Sequence, residues 1–198
     1  DLVRSRGLGD VYKRQLQISH IWGIRIRLEL EGKTRDLALF NMALDSKLRG
    51  CDLVNLKVSD VAYGSSVSSR ATVLQQKTGS PVQFEITKGT REAVAALIKL
   101  GNLHSKDFLF RSRIGTNRHI STRQYSRIFH GWVEKLGLEA SLYSTHSMRR
   151  TKPYLIYKKT KNLRVIQLLL GHKKLESTVR YLGIEVDDAL EISESIEV

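Results

Sequence analysis

Apolar positions along this chain take helical spacing, give way to a strand-like stretch, and return to helical spacing, and the changes of period divide it into elements. Ile18 to Leu30 carries recurring apolar residues without strict alternation and breaks at Glu31-Gly32-Lys33, which predicts a helix. Thr34 is placed to cap a second helix bearing Leu37, Leu39, Phe40, Met42, Ala43 and Leu44. After Gly50 and a short amphipathic piece, Asp52 to Leu56, the period shortens. Val58 to Val61, Arg70 to Gln76 and Val82 to Ile86 read as three short strands, with turns at Gly64-Ser-Ser and at Thr78-Gly79-Ser80-Pro81. Helical spacing resumes from Thr90 to Gly101. Ser121 and Gln124 have the spacing of a capping box ahead of a helix with Tyr125, Ile128, Phe129, Trp132, Val133 and Leu136 on one face, stopped by Gly137.

From Ser144 onward the pattern predicts short helices: His146 to about Lys159, Asn162 to Leu170 ended by Gly171, Leu175 to Leu182 ended by Gly183, and an acidic helix from Val186. The fold class expected is therefore mainly α with a small three-stranded antiparallel β-sheet, an α+β architecture built on one core. Residues 1–15, where Asp10-Val-Tyr-Lys-Arg-Gln15 resembles translated adapter sequence, are read as a non-native or disordered segment. Residues 16–184 form the expected domain, and 185–198 an acidic C-terminal helix or tail.

Charge changes the picture. The 198 residues carry 33 Lys and Arg against 20 Asp and Glu, a net charge of +13. Six of the acids follow Tyr181 with no base among them, so the body is more basic than the whole and the tail is acidic. A basic body suits a polyanion, through counterion release from phosphates, although a lysine-rich soluble surface has the same composition. Cys51 is the single cysteine, so no disulfide can form within the chain, and no Cys/His cluster has zinc spacing. A reducing cytoplasm fits. No apolar run reaches the length of a membrane span, so no membrane partner is expected.

The candidate chemistry lies in six residues: Arg49, Lys77, His146, Arg149, His172 and Tyr181. Cutting a phosphodiester with a side chain passes through a five-coordinate phosphorane with extra negative charge on its equatorial oxygens. The planar guanidinium forks of Arg49 and Arg149 suit those oxygens. His146 and Arg149, three apart at the start of a helix, project from one face near free backbone N–H groups. His146 could take a proton or hydrogen-bond the phosphate, and His172, freed to turn by Gly171, could donate to a non-bridging oxygen. Tyr181 is a nucleophile if a base or a field of cations favours its phenolate. Lys77, at a turn between two strands, could bring an ammonium to the leaving 5′ oxygen as general acid. Each residue alone has a plainer reading: surface arginine, capping histidine, helix C-terminal cation, core tyrosine, solvated turn lysine.

Their order changes that. Leu48-Arg-Gly-Cys-Asp-Leu53, Lys77 in a hairpin, His146-Ser-Met-Arg-Arg-Thr151, Leu169-Leu-Gly-His172 and Thr178-Val-Arg-Tyr181 together resemble the catalytic domain of the tyrosine recombinases, the phage integrase family, over roughly residues 34 to 184. The resemblance implies a site-specific recombinase that cleaves and rejoins double-stranded DNA through a 3′-phosphotyrosyl bond to Tyr181, with no ATP, metal or other cofactor. It also implies a homo-oligomer, a tetramer on synapsed DNA, in which the tail with Leu190, Ile192 and Ile196 docks on a neighbour or on its own basic body. Asp52 matches an acidic position that supports the site. Two departures set an alternative beside it. The 198 residues are expected to leave no space for the N-terminal core-binding domain that integrases usually carry, and Pro153 is expected to disturb the helix of Arg149. The alternative is an integrase-derived DNA-binding protein of weak activity. A type IB topoisomerase shares the chemistry, and an RNA-binding or structural basic domain would be indifferent to the six residues.

Overall fold

The computed structural model describes residues 14–64, 66–115, 118–184, 190, 193 and 194. Segment 1–13 and most of the acidic tail, including the helix expected from Val186, lie outside the described residues.

Two helices open the chain, α1 (Ile18–Leu30) and α2 (Thr34–Ser46), followed by the short α3 (Gly50–Val54) and α4 (Val58–Val61). Two antiparallel ladders come next, β1 (Ala62–Tyr63) with β2 (Ser66–Val67), and β3 (Arg70–Leu74) with β4 (Pro81–Glu85). In the second ladder Arg70 faces Glu85 and Leu74 faces Pro81. The helices α5 (Lys88–Leu100), α6 (Thr122–Glu134), α7 (Thr145–Thr160), α8 (Leu163–Leu170) and α9 (Leu175–Leu182) complete the order.

The α+β class is as the sequence implies, with the sheet differently divided. Val58 to Val61, expected as a strand, is the helical turn α4, and the strands form two two-stranded ladders. The physical reason is the spacing of the two valines. Residues three apart point to opposite faces of a strand but to one face of a helix, and Val58 and Val61 are both buried. The Lys57 backbone N–H donates to Asp60 Oδ2 at 2.8 Å and closes the turn. A smaller difference concerns Thr34, which is the first residue of α2; Lys33 occupies the cap position.

α2 is central because it is buried on every side from Ala38 onward, with the polar Asn41, Asp45 and Ser46 included. Every residue from Ala38 to Ser46 is buried, covered by α1, α5, α7 and β4. Phe40 meets the edge of Trp132 from α6 at 5.4 Å between ring centroids. A second, smaller apolar cluster of Tyr157, Ile166, Leu170 and Leu182 joins the end of α7 to α8 and α9. α7 links the two, with Met148 in the main core and Tyr157 in the smaller one. It runs through Pro153 to Thr160, with the proline buried and the helix assignment unbroken. No helix among the described residues is long and apolar enough to cross a membrane.

Candidate active site

Five places along the chain deliver the candidate residues. Arg49 caps α3 at its N-terminus, in extended backbone. Lys77 is exposed on the β3–β4 turn, His146 is exposed in the first turn of α7, and Arg149 is buried one turn further on. His172 follows α8, and Tyr181 occupies the last turn of α9.

Local sequence explains why His172 and Tyr181 sit where they do. α8 ends with Gly171 in the left-handed region, φ 66°. The N–H of Gly171 donates to Leu168 O and that of His172 to Gln167 O, the paired bonds of a Schellman termination. A Cβ at Gly171 would lie 2.5 Å from Val82 Cγ2, so only glycine fits where this turn presses on β4. α9 ends in the same way at Gly183, with Ile184 N bonded to Val179 O. At the start of α7, Ser144 N donates to Ser147 Oγ at 3.0 Å, fixing the entry of the chain two residues before His146.

Arg149, His172 and Tyr181 converge, with Arg49 close enough to act on both Arg149 and His172. The Arg149 guanidinium lies 5.7 Å from the centre of the Tyr181 ring, and the His172 and Tyr181 rings meet edge to face at 5.4 Å. Arg149 is only 4% exposed; its Nη2 donates to Leu170 O at 3.2 Å, while its Nε has no hydrogen-bond partner. Among the described residues no carboxylate forms an ion pair with Arg49 or Arg149. Burial, and then the charge of Arg49, depress the pKa of Arg149, with Tyr181 acting in the opposite direction. Burial first, then Arg149 and Arg49, lower His172 to about 4, so this imidazole is neutral at pH 7. Its Nδ1 is 3.1 Å from the buried Thr178 Oγ1. With the hydroxyl donating there, the ring proton lies on Nε2, ready to be donated.

The hairpin that carries Lys77 is tied to this group at its base. Arg49 Nη1 donates to Gln75 Oε1 at 2.8 Å, and the Gln76 N–H donates to Asp52 Oδ1 at 2.9 Å, so α3 holds the base of the turn that carries Lys77. His146 is on the exposed side of α7, one turn before Arg149.

Three residues beside the candidates carry no motif of their own. Arg150 is buried, its guanidinium 5.6 Å from the Tyr181 ring, so two successive arginines face one phenol. The doublet Arg149-Arg150 was its only signal in the sequence. Thr178, inside the stretch that ends at Tyr181, contacts His172 six residues away, and Gln75 contacts Arg49 over a separation of 26 residues and left no signal.

The sequence matches the model of the Phage integrase family over residues 16–186. It is 29% identical over 158 residues to the "Probable integrase/recombinase YoeC" of Bacillus subtilis, covering 80% of this chain and 82% of that protein. To tyrosine recombinase XerC of Caldanaerobacter subterraneus it is 27% identical over 157 residues, 77% of this chain but 42% of the relative. To XerC of Chlamydia trachomatis it is 25% identical and spans 59% of the relative. Among solved structures, the XerA recombinase superposes with a TM-score of 0.74 at 20% identity, covering 91% of this chain and 64% of that one. A XerH site-specific recombinase bound to its difH substrate gives 0.71 at 16%, covering 92% and 54%. The fold is shared with the matched portions of these recombinases, and the chain belongs to the phage integrase family.

Proposed function

We propose that this chain is a site-specific DNA recombinase or integrase domain that cuts and rejoins strands through a covalent bond between Tyr181 and a DNA 3′-phosphate. The observation that carries the reading is Arg149. A guanidinium 4% exposed, with an unpaired Nε, no carboxylate ion pair among the described residues and a second arginine nearby, costs the fold several kcal/mol. An arriving phosphate would offset that cost. The family membership and the DNA-bound recombinase among the structural neighbours support the same ligand.

In the proposed reaction the Tyr181 oxygen attacks phosphorus, the bond from phosphorus to the 5′ oxygen breaks, and a phosphotyrosyl bond replaces it. The phenolic proton passes to His146, and Lys77 returns a proton to the leaving 5′ oxygen, so one phosphodiester is exchanged for another with no net proton change. Arg49 and Arg149 hold the non-bridging oxygens, and neutral His172 donates Nε2–H to one of them. A 5′-hydroxyl from a second strand reverses the step. The Tyr181 oxygen is buried in the DNA-free protein, so attack requires α9 to turn it toward DNA. The small cluster that seats α9 makes such a shift less costly than one in the main core. Double-stranded DNA is the partner, with synapsis in a homo-tetramer.

Incubation with a library of nicked duplexes tests this. Wild type should form an SDS-resistant adduct, Tyr181→Phe none, and Arg149→Ala should slow adduct formation by about 100-fold or more. DNA binding without any adduct would leave a DNA-binding protein of integrase descent, and an adduct that survives in Tyr181→Phe would exclude Tyr181 as nucleophile.

A further inference from the structure

We propose that Gln75 is a positioning residue that locks Arg49, the hairpin of Lys77 and the turn of His172 into one frame. The proposal rests on the strand-cleavage reading above and adds a residue to it.

Gln75 follows the end of β3 and is 1% exposed. Its Oε1 accepts from Arg49 Nη1 at 2.8 Å and from Thr78 Oγ1 at 2.9 Å, while its Nε2 donates to Leu170 O at 3.3 Å. That carbonyl also accepts from Arg149 Nη2 at 3.2 Å. The two arginines are therefore joined by a continuous chain: Arg49, the Gln75 carboxamide, the Leu170 carbonyl, Arg149. The backbone of Gln75 closes the Lys77 turn as well, donating to Ser80 O at 3.0 Å and accepting from Gly79 N at 2.8 Å. On the far side a Cβ at Gly171 would stand 3.5 Å from Gln75 Nε2, so the carboxamide borders the turn that delivers His172.

Only a carboxamide meets these demands. Oε1 faces a guanidinium and a hydroxyl, and Nε2 faces a carbonyl, so the site needs an acceptor and a donor on one planar head. A carboxylate would keep the first pair and set an oxygen against Leu170 O. A methionine of similar volume would keep neither. Because the bonds connect α3, the hairpin and α8, their loss should displace reacting groups rather than unfold the domain, and a displacement of about 1 Å costs on the order of 100-fold in rate.

The test compares Gln75→Met and Gln75→Glu with wild type. It measures single-turnover adduct formation at saturating nicked DNA, DNA affinity, thermal unfolding, and the NMR titration of His172 in DNA-free protein. Gln75→Met should cleave about 10- to 100-fold more slowly, with affinity within about 3-fold of wild type. In Gln75→Met the released Arg49, one of the charges that hold His172 low, should move off and let the His172 titration rise above about 4, which exchanging a merely space-filling glutamine for methionine would not do. Wild-type cleavage by Gln75→Met overturns the proposal. An unmoved His172 titration in folded Gln75→Met overturns it too, and if that variant does not fold, a wild-type cleavage rate by Gln75→Glu does. If wild-type protein forms no adduct, the cleavage reading fails by itself; a raised His172 titration in Gln75→Met then still supports the frame, and an unshifted one overturns it.

Discussion

His172 is held neutral by burial and by the charges of Arg149 and Arg49, and this has consequences for stability and for binding. In the unfolded chain the imidazole takes up its proton near pH 6.5, in the folded protein only near 4. Below 6.5 the unfolded state binds more protons, so stability falls as pH drops from about 6.5 to about 4, and above 6.5 this residue contributes no pH dependence. Urea unfolding of wild type and His172→Gln at pH 7 and pH 4.5 should show wild type losing more. A phosphate against the site opposes both guanidinium charges, so the His172 titration should move upward when DNA binds; an NMR titration that stays near 4 would place the phosphate elsewhere. Gly171 is as constrained as its neighbour. Gly171→Ala must hold an alanine at φ 66° with its Cβ 2.5 Å from Val82 Cγ2. Chemical denaturation should show a loss of about 2–4 kcal/mol from backbone strain and overpacking together.

At the level of elements, what aligns the two arginine-bearing segments is an ionic network with buried Asp45 and Lys47 and partly exposed Lys152 and Glu85. Lys152, one turn beyond Arg149 in α7, bonds Asp45 Oδ1 and Glu85 Oε1, both at 2.6 Å. Glu85 also holds Lys47, two residues before Arg49, at 2.7 Å. Asp45 Oδ2 accepts from Thr90 Oγ1 at 2.6 Å and from the Thr87 N–H at 2.8 Å. Burial opposes ionisation of Asp45, but the Lys152 bond and charge and the Thr90 bond outweigh it and hold the carboxyl below its usual range. Asp45→Ala leaves Lys152 and two threonine hydroxyls short of a partner in the interior. Denaturant titration should register a loss of about 3 kcal/mol. Little of this was legible in the sequence. Ser121, Gly171 and Gly183 announced helix ends because a cap acts within three or four residues, and the turn at Thr78 to Pro81 was read for the same reason. Lys152 and Asp45 are 107 residues apart, and Arg49 and Gln75 are 26. No local period records such a pairing, so the six candidates emerged from their order along the chain while the residues that seat them did not. Val58 to Val61 was misread because four residues are too few to separate a period of 2 from one of 3.6.

Across the whole molecule, the site spans two packing units. Arg49, the hairpin and the start of α7 belong to the main core, whereas His172 and Tyr181 ride on α8 and α9 around the smaller cluster. Both units sit in a chain with a net charge of +13. That charge predicts binding dominated by counterion release, with affinity falling about 1,000-fold or more between 50 and 200 mM salt if six or more phosphates are neutralised. A plot of log affinity against log salt can then separate a general basic surface from a phosphate seat at the site. Arg49 is only partly buried, so Arg49→Ala removes a cation with little disturbance of the main core. If Arg49 meets a backbone phosphate, the slope of that plot should become shallower by about one unit for every DNA sequence tried. An unchanged slope beside a lost adduct would instead assign Arg49 to fixing Gln75 and the hairpin, with the phosphate held by Arg149 alone.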